Sequence, residues 1–292
     1  MSAQILDGKA LAQKIKEALK QEIKEIKDKT GQVPCFVNIM IGQDHAASAY
    51  AGSQQKAADY IGAQYKLEIL AQKTSPEELR HCIEKLNKNP RVHGIMIHKP
   101  VPAQIDYTQA SDLVAAHKAL EGINIVNFGK MIGGQTKIIP CTAAAVMEHI
   151  SATKVNLRGK QAVVVGRSEI VGKPVSLLLL AQNATVTVCH SATTEAQLAD
   201  HIGRADVLVV AVGKANFIKG KWIKQGAIVV DVGINQLDNK MVGDVEFEAA
   251  KERAGFITPV PGGVGPVTVM MLMRNGVETF KAQIHQDNKV KV

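Results

Sequence analysis

The stretch KQAVVVGRSEIVGKPVSLLLLA, residues 160–181, decides how this chain folds. A β-branched run ends at Gly166, a turn carrying Arg167 and Ser168 follows, and an apolar helical run begins near Val171. Small residues in such a turn let the backbone approach a pyrophosphate, and the helix behind it offers unpaired amides and a positive dipole end. Gly166 and Gly172 enclose five residues, which departs from G-x-G-x-x-G and is weak as a spacing. The strand–turn–helix context carries the reading, and an α/β domain without a dinucleotide stays open on these residues alone.

Downstream, ATVTVCH (184–190), ADVLVVAVG (205–213) and GAIVVDVGI (226–234) read as further strands, each ending in glycine or polar residues. About twenty residues after the glycine turn, an NAD site usually presents Asp or Glu to the ribose. This chain has CHSAT (189–193) there, with His190 and Ser191, and Thr194 just beyond. With no carboxylate to repel a 2′-phosphate and Arg167 able to pair with one, NADP is favoured over NAD.

Upstream, residues 7–29 place Leu11, Ile15, Leu19, Ile23 and Ile26 at helical spacing among charges. CFVNIMIG (35–42) reads as a buried strand, Ala46 to about Ile61 as a helix, and KLEILAQ (66–72) as a strand. SPEELRHCIEKLNKN (75–89) is a helix with Ser75 as N-cap and Glu78 at the capping-box position. VHGIMIHKPVP (92–102) is a strand stopped by prolines. This alternation predicts a parallel sheet with crossover helices, an α/β fold. A helical run from Thr142 to Asn156 joins the halves, and TPVPGGVGPVT (258–268) forms a rigid loop before a last helix.

The 292 residues suffice for two domains, and 46% hydrophobic against 21% charged residues exclude a disordered chain. The net charge of +8 is spread out and aromatics are only 4%, so no basic stripe with stacking rings points to nucleic acid. Cys35, Cys82, Cys141 and Cys189 lie far apart without metal-ligand spacing, and no metal is expected. No apolar run reaches membrane-spanning length, and the N-terminus turns straight into a charged helix. A cytoplasmic protein without membrane or nucleic-acid partners is the expectation.

GRSEIVGKP (166–174), CHSAT, GKANFIKGKWIKQGAIVVDVGIN (213–235), VGDVEFE (242–248) and ITPVPGGVGPVTVMML (257–272) together resemble the bifunctional methylenetetrahydrofolate dehydrogenase/methenyltetrahydrofolate cyclohydrolase family. DGKALAQKIK (7–16) and IGQDHAASAY (41–50) fit its opening segments, so the resemblance covers essentially the whole chain. It implies an N-terminal α/β/α substrate domain over residues 1–145, completed by a C-terminal helix over 266–284. A Rossmann-like NADP-binding domain over 146–265 and a cleft between the two complete the implied fold. It further implies hydride transfer from 5,10-methylenetetrahydrofolate to NADP, hydrolysis of the methenyl product, and a homodimer. The implied cofactor residues are Gly166, Arg167, Ser168, Ile170, His190, Ser191, Val212, Gly213 and Ile234. Substrate contacts fall on Tyr50, His98, Lys99, Pro100, Glu121, Pro261, Gly262 and Gly263, with Tyr50, Gln54 and His98 at the catalytic positions.

The substrate half departs from the family pattern. Tyr-x-x-x-Lys is Tyr50 with Gln54 in place of the catalytic lysine. Q-L-P-L-P is His98-Lys99-Pro100-Val101-Pro102, and the aspartate that holds the pterin is Glu121. Lys56 does not stand in: six residues at roughly 100° each place it about 240° round from Tyr50. Strand alternation predicts that Lys99 points away if His98 points in. His98 either fills the volume of the lost glutamine, the favoured reading, or takes an acid–base role near neutrality. Glutamine cannot titrate, so the expectation is a dehydrogenase with weak or absent cyclohydrolase. A relative acting on a modified folate or another small cyclic amine, and a non-catalytic NADP-binding paralogue, remain the alternatives.

Overall fold

A parallel sheet covered on both faces needs strands that are apolar along their whole length, and the chain supplies such strands at the centres of two sheets. The computed structural model describes residues 2–290, which divide into two compact units. Among the described residues, no helix is long and apolar enough to cross a membrane.

The first unit takes Lys14–Cys141 and the chain from Val269 onward. Its three parallel strands run in the order Gln64–Leu70, Cys35–Ile41, Gly94–Ile97. The central strand, CFVNIMI, is buried at every position, and Asn38 is its one polar residue. Helix His45–Ile61 starts where Asp44 accepts from the Ala47 amide at 2.8 Å and stops at left-handed Gly62. Helix Pro76–Lys88 carries the reciprocal Ser75–Glu78 capping box and buries Leu79 and Ile83 among Val37, Ile39, Ile95 and Ile97. From helix Val264–Val290, Asn275 donates to the carbonyls of Leu120 and Ile139, both at 2.8 Å.

The second unit takes Thr142–Thr268 together with the chain up to Gln13. Six parallel strands lie in the order Gln4–Ile5, Phe256–Ile257, Ile228–Asp231, Val207–Val210, Gln161–Val165, Thr185–Cys189. From Gln161–Val165 the chain steps outward to Thr185–Cys189, then crosses back to Val207–Val210 on the other side. That reversal is the switch point where open α/β sheets bind ligands, at the carboxyl ends of their strands.

The first residues differ from the expected 1–145 domain. Gln4–Ile5 extends the six-stranded sheet by pairing with Phe256–Ile257, so backbone hydrogen bonding draws the N-terminus into the second unit. The other divisions fall at 141/142 and 268/269 rather than 145/146 and 265/266.

Gly276 shows how tightly the last helix packs. A Cβ there would lie 2.4 Å from the ring of Phe36, itself fully buried. Gly276→Ala is expected to cost about 1–3 kcal/mol of stability through overpacking, read as a lowered urea midpoint with unchanged slope.

Candidate active site

In the second unit, Gly166 ends strand Gln161–Val165 at the switch point with φ 122°, a conformation side chains avoid. A Cβ there would sit 2.4 Å from the Ala211 carbonyl oxygen, so the two strand ends approach as closely as backbones can. The Ser168 hydroxyl accepts from the amides of Val171 (3.2 Å) and Gly172 (3.4 Å), setting the turn before helix Gly172–Ala181.

A cavity of about 790 Å³ opens beside this turn. Of the expected cofactor residues, Gly166, Arg167, His190, Ser191 and Val212 line it. Ser168, Ile170, Gly213 and Ile234 stand outside its lining, and Ile170 and Ile234 are exposed. Thr193, Glu195, Lys214, Asn216, Phe217 and Trp222 line it too, and sequence reasoning missed them. Glu195 is a carboxylate where the sequence suggested none. It sits at the first position of helix Glu195–Arg204, past the strand end where a ribose-binding acid is sought.

One buried carboxylate shapes the neighbouring strand end. Asp244 accepts from the amides of Val212 (2.7 Å), Gly213 (3.0 Å) and Lys214 (2.8 Å), and from Asn235 Nδ2 (2.9 Å). Asp231 in turn accepts from the amides of Gly233, Asp244 and Val245. Burial pushes the Asp231 carboxyl up to about 6, against the pull of those amides. The glycine turn that a Cβ would fill, the roomy cavity and the Arg167 and Lys214 cations fit a phosphorylated dinucleotide. Among the described residues, no group of His, Cys, Asp and Glu could hold a metal ion.

Pro261, Gly262 and Gly263 belong to this same unit. Their loop is fixed to the start of helix Gly8–Thr30, where the Gly8 amide donates to the Gly262 carbonyl at 3.0 Å.

The first unit gathers a polar cluster inside its sheet. Gln54 is fully buried one turn after Tyr50, whereas Lys56 is exposed. Gln54 Oε1 accepts from Asn38 Nδ2 at 2.5 Å and from the Tyr65 hydroxyl at 3.0 Å. Gln54 also hydrogen-bonds the Tyr50 side chain, whose phenol burial pushes well above its ordinary value. His98 is buried, stands edge-on to the Tyr50 ring at 5.9 Å, and lies 3.5 Å by Nε2 from Asn38 Nδ2. Burial pushes His98 down to about 4, so its ring is neutral at physiological pH.

Lys99 does not point away. Strand Gly94–Ile97 ends before it, so alternation no longer governs. Its Nζ lies 3.9 Å from the centre of the Tyr107 ring and within electrostatic reach of Glu121. The Tyr107 hydroxyl donates to Glu121 Oε2 at 2.7 Å. Burial pushes Glu121 up to about 7, opposed by the Tyr107 hydrogen bond and the Lys99 charge. Pro100 follows Lys99 through a cis peptide and is exposed.

A six-stranded parallel sheet with its cavity at the switch point defines a Rossmann-like, dinucleotide-binding α/β protein. Residues 140–284 match the NAD(P)-binding domain of tetrahydrofolate dehydrogenase/cyclohydrolase, and residues 6–121 match the catalytic domain. The bifunctional protein FolD of Bacillus pumilus is 48% identical over 96% of this chain and 99% of its own length. The bifunctional FolD methylenetetrahydrofolate dehydrogenase/cyclohydrolase of Campylobacter jejuni superposes with a TM-score of 0.93 at 38% identity, covering 96% of this chain and 99% of that one. The Trypanosoma brucei dehydrogenase–cyclohydrolase, solved with NADP and an inhibitor, gives 0.92 at 36%, covering 97% and 99%. The chain belongs to the tetrahydrofolate dehydrogenase/cyclohydrolase family.

The two buried titratable groups act on stability in opposite directions. His98 holds its proton less tightly folded than unfolded, so its contribution is full above pH 6.5 and is lost as pH falls toward 4. Glu121 holds its proton more tightly folded, so its contribution is full below pH 4.5 and is lost as pH rises through about 7. Asp231 adds to the second effect between 3.8 and about 6. In urea denaturation across pH, His98→Gln is expected to flatten the acid limb. Glu121→Gln is expected to flatten the limb between about 6 and 7.

Proposed function

We propose that this chain is an NADP-dependent 5,10-methylenetetrahydrofolate dehydrogenase whose methenyltetrahydrofolate cyclohydrolase activity is weak or lost. NADP, when bound, supplies the hydride acceptor. In this reading the Gly166–Arg167 turn, which lines the cavity, holds its phosphates, and Arg167 pairs with its 2′-phosphate. Tyr50 and Glu121 hold the folate, with the Tyr107 hydroxyl and the Lys99 charge keeping the Glu121 carboxylate in place. Oxidation of the methylene carbon asks mainly for positioning. Hydrolysis asks in addition for a group that gives and takes a proton.

The observation that carries the loss of hydrolysis is Gln54. It stands buried beside Tyr50 with its carbonyl oxygen engaged by Asn38 and Tyr65. The neighbouring His98 is held neutral by burial. Neither offers a proton donor–acceptor pair poised near pH 7, and a positioned acid or base contributes about 10²–10⁴-fold. The working assembly is proposed as a homodimer acting in the cytoplasm.

The same cluster supports a second reading, with a modified folate or another small cyclic amine as substrate. His98, Lys99 and Glu121 all differ from the family pattern, and Tyr107 occupies one Glu121 oxygen. Binding of NADP without binding of tetrahydrofolate selects this reading. Turnover of neither folate reaction, with NADP still bound, selects a non-catalytic paralogue.

Oxidation and hydrolysis are to be assayed separately. Wild type is expected to oxidise methylenetetrahydrofolate and to hydrolyse the methenyl product little above the uncatalysed rate. Gln54→Lys is expected to raise hydrolysis by about 10²-fold or more. A wild-type hydrolysis rate matching its oxidation rate sinks the proposed loss. For cofactor choice, Arg167→Ala is expected to weaken NADP by about 10–100-fold, the worth of charge-assisted hydrogen bonds, and to leave NAD nearly unchanged in fluorescence titrations.

A further inference from the structure

Asn38 is the one polar side chain of a seven-residue strand that is buried throughout. Placing an amide there is costly unless its hydrogen bonds are made inside the protein. Its Nδ2 donates to Gln54 Oε1 at 2.5 Å and to the Tyr65 hydroxyl oxygen at 3.1 Å. Tyr65 passes its own proton to Gln54 Oε1 at 3.0 Å. A carbonyl oxygen has two lone-pair sites, so Asn38 and Tyr65 fill the acceptor end of Gln54. The Gln54 amide then has only its NH₂ end to turn elsewhere. One contact of that end is the Met96 sulfur at 3.6 Å, a weak acceptor. The other is Tyr50, one turn earlier on the same helix: with Oε1 filled, the Gln54 contact with its phenol falls to the NH₂ end.

The hydrogen-bond directions therefore run one way. Asn38 and Tyr65 donate to Gln54, Gln54 donates to Tyr50, and the Tyr50 hydroxyl proton is left to donate beyond the cluster. The acceptor end of Asn38 shows the cost of this arrangement. Its Oδ1 is buried and has no hydrogen-bond partner, a deficit of about 1–3 kcal/mol that folding alone gives no reason to keep.

We propose that Asn38 is a positioning residue that, with Tyr65, fixes the Gln54 amide with its NH₂ toward Tyr50, making Tyr50 a hydrogen-bond donor to the substrate. The proposal rests on the folate dehydrogenase reading. It says that the lysine position keeps a donor to Tyr50 while giving up a titrating one, and that a residue outside the motif enforces this orientation.

A double-mutant cycle tests it. Asn38→Leu keeps side-chain size and removes the donor; Gln54→Leu removes the group through which Asn38 acts. Asn38→Leu alone is expected to lower kcat/KM for methylenetetrahydrofolate oxidation by about tenfold, one lost hydrogen bond. The KM for NADP is expected to stay within twofold of wild type. In the Gln54→Leu background, Asn38→Leu is expected to have no further effect on kcat/KM, since both act through one amide. A purely structural Asn38 would give effects that multiply, and that result overturns the proposal. So does an Asn38→Leu enzyme with wild-type kcat/KM. If Asn38→Leu fails to fold, Asn38→Ser, which keeps a donor too short to reach Gln54, takes its place in the same cycle. A wild type that binds NADP but neither binds nor oxidises any folate overturns the folate reading itself, and the proposal with it.

Discussion

A polar side chain on a strand covered on both faces must find its partners within the protein, because no water reaches it. Asn38 is in that position, and much of the first unit's site follows from it. Its donors fix Gln54, Gln54 meets Tyr50 one helical turn earlier, and His98 comes in against both Asn38 and Tyr50. The groups come from four places in the fold: the central strand, helix His45–Ile61 (Tyr50 and Gln54), the edge strand Gln64–Leu70 (Tyr65) and the end of strand Gly94–Ile97. Such a cluster is held together by its least tolerant member. Remove the strand amide, and three polar groups lose a common partner in a place where none is easily replaced.

The second unit solves a similar problem with charge. Loops at the carboxyl ends of parallel strands carry backbone amides that the sheet no longer satisfies. Asp244 collects three of them in a row, from Val212 to Lys214, and Asp231 collects three more, the Asp244 amide included. A carboxylate bonded by several amides tolerates burial that would otherwise neutralise it. The strand end beside Gly166 is thus tied by carboxylates rather than by a disulfide, and all four cysteines are free.

The sequence displays local signals and hides convergent ones. The Gly166 turn was legible because a β-branched run, a glycine and an apolar helix lie side by side in the chain. The Ser75–Glu78 box was legible because its two members stand three residues apart. Asn38, Gln54, Tyr65 and His98 span sixty positions, and no periodicity says that they meet. One polar letter inside CFVNIMI was the available sign, and it is a sign only once the strand is known to be central. Gln4–Ile5 was hidden by its brevity: two residues carry no alternation to read. Glu195 was hidden by its place at the first position of a helix, and Lys99 by a strand that ends at Ile97, short of the prolines expected to stop it.

Positioning and proton transfer make different demands on the same position, and that difference gives the site its logic. A lysine beside a tyrosine donates a hydrogen bond and also titrates; a glutamine donates and does not. Keeping the first property and dropping the second requires that the amide not turn round, because glutamine, unlike lysine, has an acceptor end of equal size. An unrestrained Gln54 would present carbonyl or NH₂ to Tyr50 with little preference, and Tyr50 would face its ligand as donor or acceptor accordingly. Asn38 and Tyr65 supply what lysine never needed: a lock on orientation. On the proposed reading a glutamine at position 54 needs such a lock, and the buried amide on the neighbouring strand supplies it.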